Sequence, residues 1–362
     1  MKKVMETNLP QITTIIPTYQ RPKMLRRAIL SVLNQTYPYL QACVYDNASG
    51  DGTAEVVAEL AKSDPRVRYH CHSENIGGLA NFEYGISQVQ TSFFSLLSDD
   101  DFLLPNFYMD AMAKLENYPE AVFCAGSTIM ANENADILAL SLTDCQDGII
   151  YPPEGLLYMW EKGHPIWTTI LFRSEVSRIC PPARDVYAHL DAYFEMLIAR
   201  AYPFYIFKKP CGVYVFHPGG YSSDLNLYND IWHDWRVILE YFLNDKDLSE
   251  EAKKRIYHVW ETNTKKYLLG YMGECLFKKE PVKVAETAMF YRQKFGSSSL
   301  LSILLFIARL GEYSNFCKWA ASALFKIRKR IKGFHKGFYA QKLLHKQYKI
   351  SSEDIKKLFY IT

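Results

Sequence analysis

The chain has 362 residues, 49% hydrophobic, 22% charged and 15% aromatic, with a formal net charge of +3. The length predicts two domains and the composition is globular, which excludes a disordered, collagen-like or coiled-coil chain. The small net charge hides an uneven distribution: ten Lys or Arg and no Asp or Glu lie between Tyr313 and Ser352, so the remainder is net negative.

At the start, Lys2 and Lys3 are followed by no apolar stretch. No secretory signal is expected, and the chain is assigned to the cytoplasm. The first 130 residues alternate β-rich runs with helical patterns. Ile12 to Ile16, Ala42 to Tyr45, Val67 to Cys71, Phe93 to Leu97 and Ala121 to Ala125 are predicted as buried strands. Between them, Lys23 to Asn34, Thr53 to Lys62, Leu79 to Gln88 and Asn106 to Glu116 space apolar residues as helices do. Asp51-Gly52-Thr53 is an expected N-terminal cap. Such β-α alternation calls for a mostly parallel sheet covered on both faces, with ligands outside the carboxyl ends of its strands.

From Asn132 to Pro153 the pattern loosens. It resumes with a strand at Thr168 to Phe172, a helix at Leu190 to Arg200 and a strand at Phe204 to Phe207. Beyond Tyr221 only helical patterns follow: Asp230 to Leu243, Ser249 to Phe277, Val282 to Phe295, Leu300 to Leu310 and Phe316 to Ile331. The apolar run Leu300 to Ala308 is about half the roughly 20 residues of a spanning helix, so none is expected. The eight cysteines include no Cys-x-x-Cys pair, which points to a reducing compartment without a zinc site.

The unusual residues fall at strand ends. Pro17-Thr18-Tyr19-Gln20-Arg21 and Asp46-Asn47-Ala48-Ser49-Gly50-Asp51-Gly52-Thr53 bring an aromatic ring, an acid and small polar groups to one crevice. That set suits a nucleoside, although the second stretch also reads as an ordinary turn and cap. Ser98-Asp99-Asp100-Asp101 ends the fourth strand. Adjacent carboxylates at a buried strand end repel one another, and a hard divalent ion relieves them.

These motifs, with Ser31-Val32-Leu33-Asn34-Gln35-Thr36-Tyr37 and Asn75-Ile76-Gly77-Gly78, resemble the family 2 glycosyltransferases over about residues 10 to 221. The resemblance implies an α/β GT-A fold with a helical extension: 1–225 as the nucleotide-sugar-binding catalytic domain, 226–362 as a helical, basic region. It implies that Pro17, Thr18, Tyr19, Arg21, Asp46, Asn75, Gly77 and Asp99 bind the donor nucleotide. It also implies that Asp100, Asp101 and His217 bind Mn²⁺ or Mg²⁺. Ser98 stands where the family usually has its leading Asp, which leaves the register of the acidic pair open by one residue.

Ala188 to Glu195 is similar to the family's Glu-Asp segment. Leu190 stands where Glu is common and Asp191 is the implied catalytic base, with His189 and Glu195 as the alternatives nearby. Trp167 and Thr168 lie where the family approaches the acceptor. Phe216-His217-Pro218-Gly219-Gly220-Tyr221-Ser222 is similar to its closing loop, whereas His70 and His72 are expected to be structural.

The implied activity is inverting, metal-dependent transfer from a nucleotide-diphosphate sugar to a hydroxyl of a glycan or lipid-linked glycan. The alternatives are a sugar nucleotidyltransferase and a non-catalytic GT-A-fold binding protein. The basic region is expected to meet an anionic membrane surface on the cytoplasmic face, with no nucleic-acid partner.

Overall fold

A computed structural model describes residues 9–179, 186, 189–220, 229–278, 280–313, 336–337 and 339–360. It divides into two units, 1–226 with 339–362, and 227–338.

The first unit is built on a mixed sheet whose strands run, in spatial order, Val67–Cys71, Leu40–Asp46, Ile12–Thr18, Phe93–Leu96, Ile170–Arg173, Phe123–Asn132, Phe204–Phe216 and Phe102–Leu103. Its first half comprises β1 (Ile12–Thr18), β2 (Leu40–Asp46), β3 (Val67–Cys71) and β4 (Phe93–Leu96), all parallel. The crossovers are the helices α1 (Pro22–Leu33), α2 (Thr53–Ser63) and α3 (Gly78–Ser87). The β1 side chains Ile12, Ile15 and Ile16 are fully buried, as both faces of a covered sheet require. In α1, Pro22 starts the helix, while Leu25, Ala28, Ile29 and Val32 form its buried stripe. Gly52 is the N-cap residue of α2, and Asp51 just before it accepts at Oδ1 from the Thr53 amide and hydroxyl.

Beyond β4 the expected parallel order gives way. After β5 (Phe102–Leu103) and helix α4 (Phe107–Asn117), β6 (Phe123–Asn132) runs parallel to β10 (Phe204–Phe216). Strand β9 (Ile170–Arg173) lies antiparallel between β4 and β6. The loosely patterned stretch after Asn132 holds two short antiparallel strands, β7 (Ile137–Leu140) against β6 and β8 (Gly148–Ile150) against β10. Helices α5 (Glu154–Lys162) and α6 (Leu190–Ala201) complete this half.

The segment 339–360 belongs to this unit rather than to the single region expected over 226–362. Ala340, Leu344, Ile355 and Phe359 join a core cluster with Phe102, Ile129 and Val213. The second unit contains the helices Asn229–Leu243, Glu250–Lys278, Pro281–Phe295 and Ser299–Tyr313. Leu268, Met272, Val284, Ala288, Tyr291 and Leu301 form its core. The helix expected at Phe316 to Ile331 lies outside the described residues. Among those described, no helix is long and apolar enough to cross a membrane.

Candidate donor and metal site

The crevice opens where β1 is flanked by β2 on one side and β4 on the other. This is a topological switch point, at which successive loops leave the carboxyl ends in opposite directions. Thr18, the last residue of β1, donates its hydroxyl to Asp99 Oδ2 at 2.7 Å. Arg21 Nη1 spans Asp99 Oδ1 and Asp100 Oδ2 at 3.1 and 3.0 Å, and its Nη2 donates to the Gly219 carbonyl at 2.5 Å. His217 Nε2 meets Asp100 Oδ2 at 3.0 Å. Thr18, Arg21, Asp99, Asp100, His217 and Gly219 thus form one network linking β1, the acidic turn and the loop after β10.

Burial, and then the neighbouring Asp100, lift the Asp99 carboxyl to about 6, although Arg21 and Thr18 pull it down. Asp101 is raised well above the usual carboxylate range by burial. It faces inward, with Oδ2 accepting from Thr168 at 2.5 Å and Oδ1 from the Val215 amide at 2.9 Å. Both oxygens are engaged and the residue is 1% exposed, which removes Asp101 from the expected metal ligands. Asp100 with His217 is what remains, a carboxylate oxygen and an imidazole nitrogen, and this donor set suits Mn²⁺ or Mg²⁺ completed by phosphate oxygens and water. Among the described residues, no group of three or more His, Cys, Asp or Glu is arranged around a metal position.

A second network lies at the carboxyl end of β2. Asp46 Oδ1 accepts from the Ser49 amide and hydroxyl at 2.9 and 2.6 Å, and Oδ2 accepts from the Tyr69 hydroxyl at 2.6 Å. Asn47 joins Asn75 and the Ile76 amide, and Asn75 Oδ1 also accepts from the Gly77 amide, each at 2.9 Å. Gly77 has a φ of +87°, a conformation that favours glycine. Pro17 is half-buried and Tyr19 exposed, the latter leaving a ring face available. Ser49 belongs to the small polar groups expected there, whereas Tyr69 is not among the expected residues, because it sits on an alternating edge strand that does not reveal its target.

The acceptor assignments change. Thr168 is 2% exposed and bonded to Asp101, so it faces the core. Trp167 is stacked on Phe82 at 4.1 Å and 16°, so one of its faces is covered. Asp191 lies in the first turn of α6, its Oδ1 accepting from the Ala192 amide at 2.8 Å. Near it, His164 Nδ1 stands 3.4 Å from Oε2 of the fully buried Glu195. Burial raises Glu195 to about 8. His164 is pulled down by burial, but Asp191 and Glu195 outweigh this and bring it to about 9. His70 and His72 pack against Tyr84 at 4.8 Å, a structural role. Tyr221 and Ser222 of the closing motif lie outside the described residues.

Helix α1 and the residues just after it support the acidic turn from below. Arg27 Nη2 donates to the Asp100 carbonyl, Ser31 Oγ accepts from the Leu103 amide at 3.0 Å, and Gln35 Nε2 donates to the Leu104 carbonyl at 2.7 Å. The Ser31 to Tyr37 motif is thereby explained as a brace.

Residues 13–178 match Glycosyl transferase family 2. The chain is 35% identical over 107 residues to the GalNAc(5)-diNAcBac-PP-undecaprenol beta-1,3-glucosyltransferase of Campylobacter jejuni, covering 29% of this chain and 35% of that protein. It is 24% identical over 153 residues to the putative teichuronic acid biosynthesis glycosyltransferase TuaG of Bacillus subtilis, covering 41% and 56%. Both matches span less than two thirds of the relatives' own length. Among solved structures, S. aureus TarS 1-349 in complex with UDP-GlcNAc aligns at a TM-score of 0.57 and 16% identity, covering 89% of this chain and 92% of that one. That likeness concerns the GT-A-type fold. With the ordered motifs and the strand-end site, the match establishes that this chain carries a family 2 glycosyltransferase domain over residues 13–178.

Proposed function

We propose that the chain transfers one sugar from a nucleotide-diphosphate sugar to a hydroxyl of a glycan or lipid-linked glycan, with inversion in a single in-line displacement. The observation that carries this reading is the convergence of Thr18, Arg21, Asp99, Asp100 and His217 at the switch point of the sheet. In this reading the catalytic domain is 1–225 together with the returning segment 339–360. Pro17, Thr18, Tyr19, Asp46, Asn75 and Gly77 receive the nucleoside, and Asp99 the ribose region.

Asp100 and His217 would hold Mn²⁺ or Mg²⁺, which when bound supplies positive charge against the departing diphosphate. Arg21 lies beside the same acids and steadies them. Asp191 accepts the acceptor hydroxyl's proton as the oxygen attacks the sugar's anomeric carbon. Support for a nucleotide-sugar donor comes from the fold shared with TarS, described with UDP-GlcNAc bound. A lipid-linked acceptor is supported by the Campylobacter relative, whose name specifies an undecaprenol-diphosphate glycan. A cytoplasmic enzyme acting there gains from the basic block, which would hold it to an anionic leaflet.

A panel of nucleotide sugars, incubated with and without Mn²⁺ and scored for hydrolysis or transfer, tests the proposal. One donor is expected to release its nucleoside diphosphate in a metal-dependent way. No turnover with any donor, in the presence of lipid-linked glycan acceptors, overturns it.

A further inference from the structure

The helix Ser352–Phe359 is short but firmly closed at its start. Ser351 Oγ accepts from the Asp354 amide at 3.1 Å, and Asp354 Oδ2 accepts from the Ser351 amide at 2.9 Å, a complete capping box. Its buried residues Ile355 and Phe359 pack in the same cluster as Phe102, Leu104 and Val213. Phe102 directly follows the acidic turn, so this helix closes over the turn's underside.

Arg27 packs against both aromatic residues, which also touch each other. Its guanidinium carbon is 4.8 Å from the Phe102 ring centre and 4.8 Å from that of Phe359, while the rings meet edge to face at 5.2 Å. Arg27 is 9% exposed, its Nε has no hydrogen-bond partner, and among the described residues no carboxylate lies within ion-pair distance of it. A buried cation so poorly supplied with polar partners depends on the ring faces around it. Among the described residues its hydrogen bond goes to the Asp100 carbonyl.

We propose that Phe359 is a positioning residue for the donor site: together with Phe102 it holds Arg27 in place, and Arg27 holds the main chain of Asp100 in register with Arg21 and His217. The consequence for donor binding rests on the functional reading above; the clamp itself does not. Asp100 is held at two points, its carbonyl from below by Arg27 and its carboxylate from above by Arg21 and His217. Loss of the lower point leaves the side-chain partners in place but frees the turn to shift. Residues 339–360 thereby contribute to nucleotide affinity without touching the nucleotide.

The test uses the full chain with Phe359→Leu, which keeps apolar volume but loses the ring, and Phe359→Tyr, which keeps the ring. Thermal melting checks folding. Hydrogen–deuterium exchange at 98–104 is read without nucleotide, and calorimetry gives affinities for UDP and GDP with Mn²⁺. In Phe359→Leu, exchange at 98–104 is expected to rise selectively and the affinity of the bound nucleotide to fall about tenfold, between the scales of an exposed and a desolvated cation–π contact. Phe359→Tyr is expected to follow the parent. Unchanged exchange and affinity in Phe359→Leu overturn the clamp, as does a uniform rise across the chain in both variants, which marks a purely structural role. Failure of the parent to bind either nucleotide counts against the donor site, and the exchange comparison at 98–104 then decides the clamp alone.

Discussion

Asp100 is the carboxylate with a side chain directed at both Arg21 and His217, so its loss should be felt at the diphosphate. In Asp100→Ala, calorimetry is expected to show that Mn²⁺ no longer strengthens nucleoside diphosphate binding, whereas Asp101→Ala should principally lower the melting temperature. Asp191→Asn keeps shape but cannot accept a proton; turnover is expected to fall by roughly 10² to 10⁴ with donor binding nearly intact. Near-normal turnover would move the base elsewhere. The His164–Glu195 pair makes a separate prediction. Both groups are raised, so both favour the folded state when protonated, and their contributions are lost as pH rises. His164's contribution is complete below about 6.5 and lost through about 9, and Glu195's is lost through about 8. Urea titrations from pH 6.5 to 9.5 should show stability falling, with a shallower slope in Glu195→Gln.

Among the elements, the parallel pair β6 and β10 joins the sheet's middle to the loop that carries His217. The pairing contains irregular registers around Pro210, where β10 side chains approach the β6 backbone closely. A Cβ added at Gly126 would stand 2.3 Å from Cys211 Sγ and 3.0 Å from the Phe207 ring. Gly126→Ala is therefore expected to destabilise the protein by about 1–3 kcal/mol, read as a lower urea midpoint with an unchanged slope. An unchanged midpoint would mean that the bulge absorbs the methyl. The extent of β10 was only partly legible: Lys208, Lys209 and Pro210 interrupt its apolar pattern, and pairing with β6 and β5 carries the strand past them. Strands β5, β7 and β8 were missed because two to four residues of moderate apolarity acquire strand geometry only from a partner.

At the scale of the whole molecule, the basic block is the feature that composition isolates. Six of its ten cations, Lys318, Lys326, Arg328, Lys329, Arg330 and Lys332, lie outside the described residues, while Lys342, Lys346 and Lys349 lie within the returning segment and Lys336 precedes it. Removing everything after residue 312 would also strip Leu344, Ile355 and Phe359 from the first unit's core. Charge is better tested alone, by changing Lys326, Arg328, Lys329 and Arg330 to Gln in the full chain. Each cation near an anionic surface contributes about 1 kcal/mol, so the parent should sediment with anionic but not neutral vesicles in a salt-sensitive way, and the variant much less. Equal supernatant fractions for both proteins would dismiss the membrane role.

Local order sufficed for much of this protein. The parallel half of the sheet, its crossover helices and the strand ends bearing Thr18, Asp46 and Asp99 follow from apolar periodicity and from motifs confined to a few residues. What local order does not contain is the direction in which a side chain turns and the partner it meets. Asp99, Asp100 and Asp101 are the same residue in immediate succession, yet Thr18, His217 and Thr168 assign them different positions in the fold. The same holds for Trp167, whose ring face is taken by Phe82, and for Arg27, whose setting is completed by Phe359. These were decisions of the tertiary structure, because burial and hydrogen-bond satisfaction depend on groups brought together from remote parts of the chain.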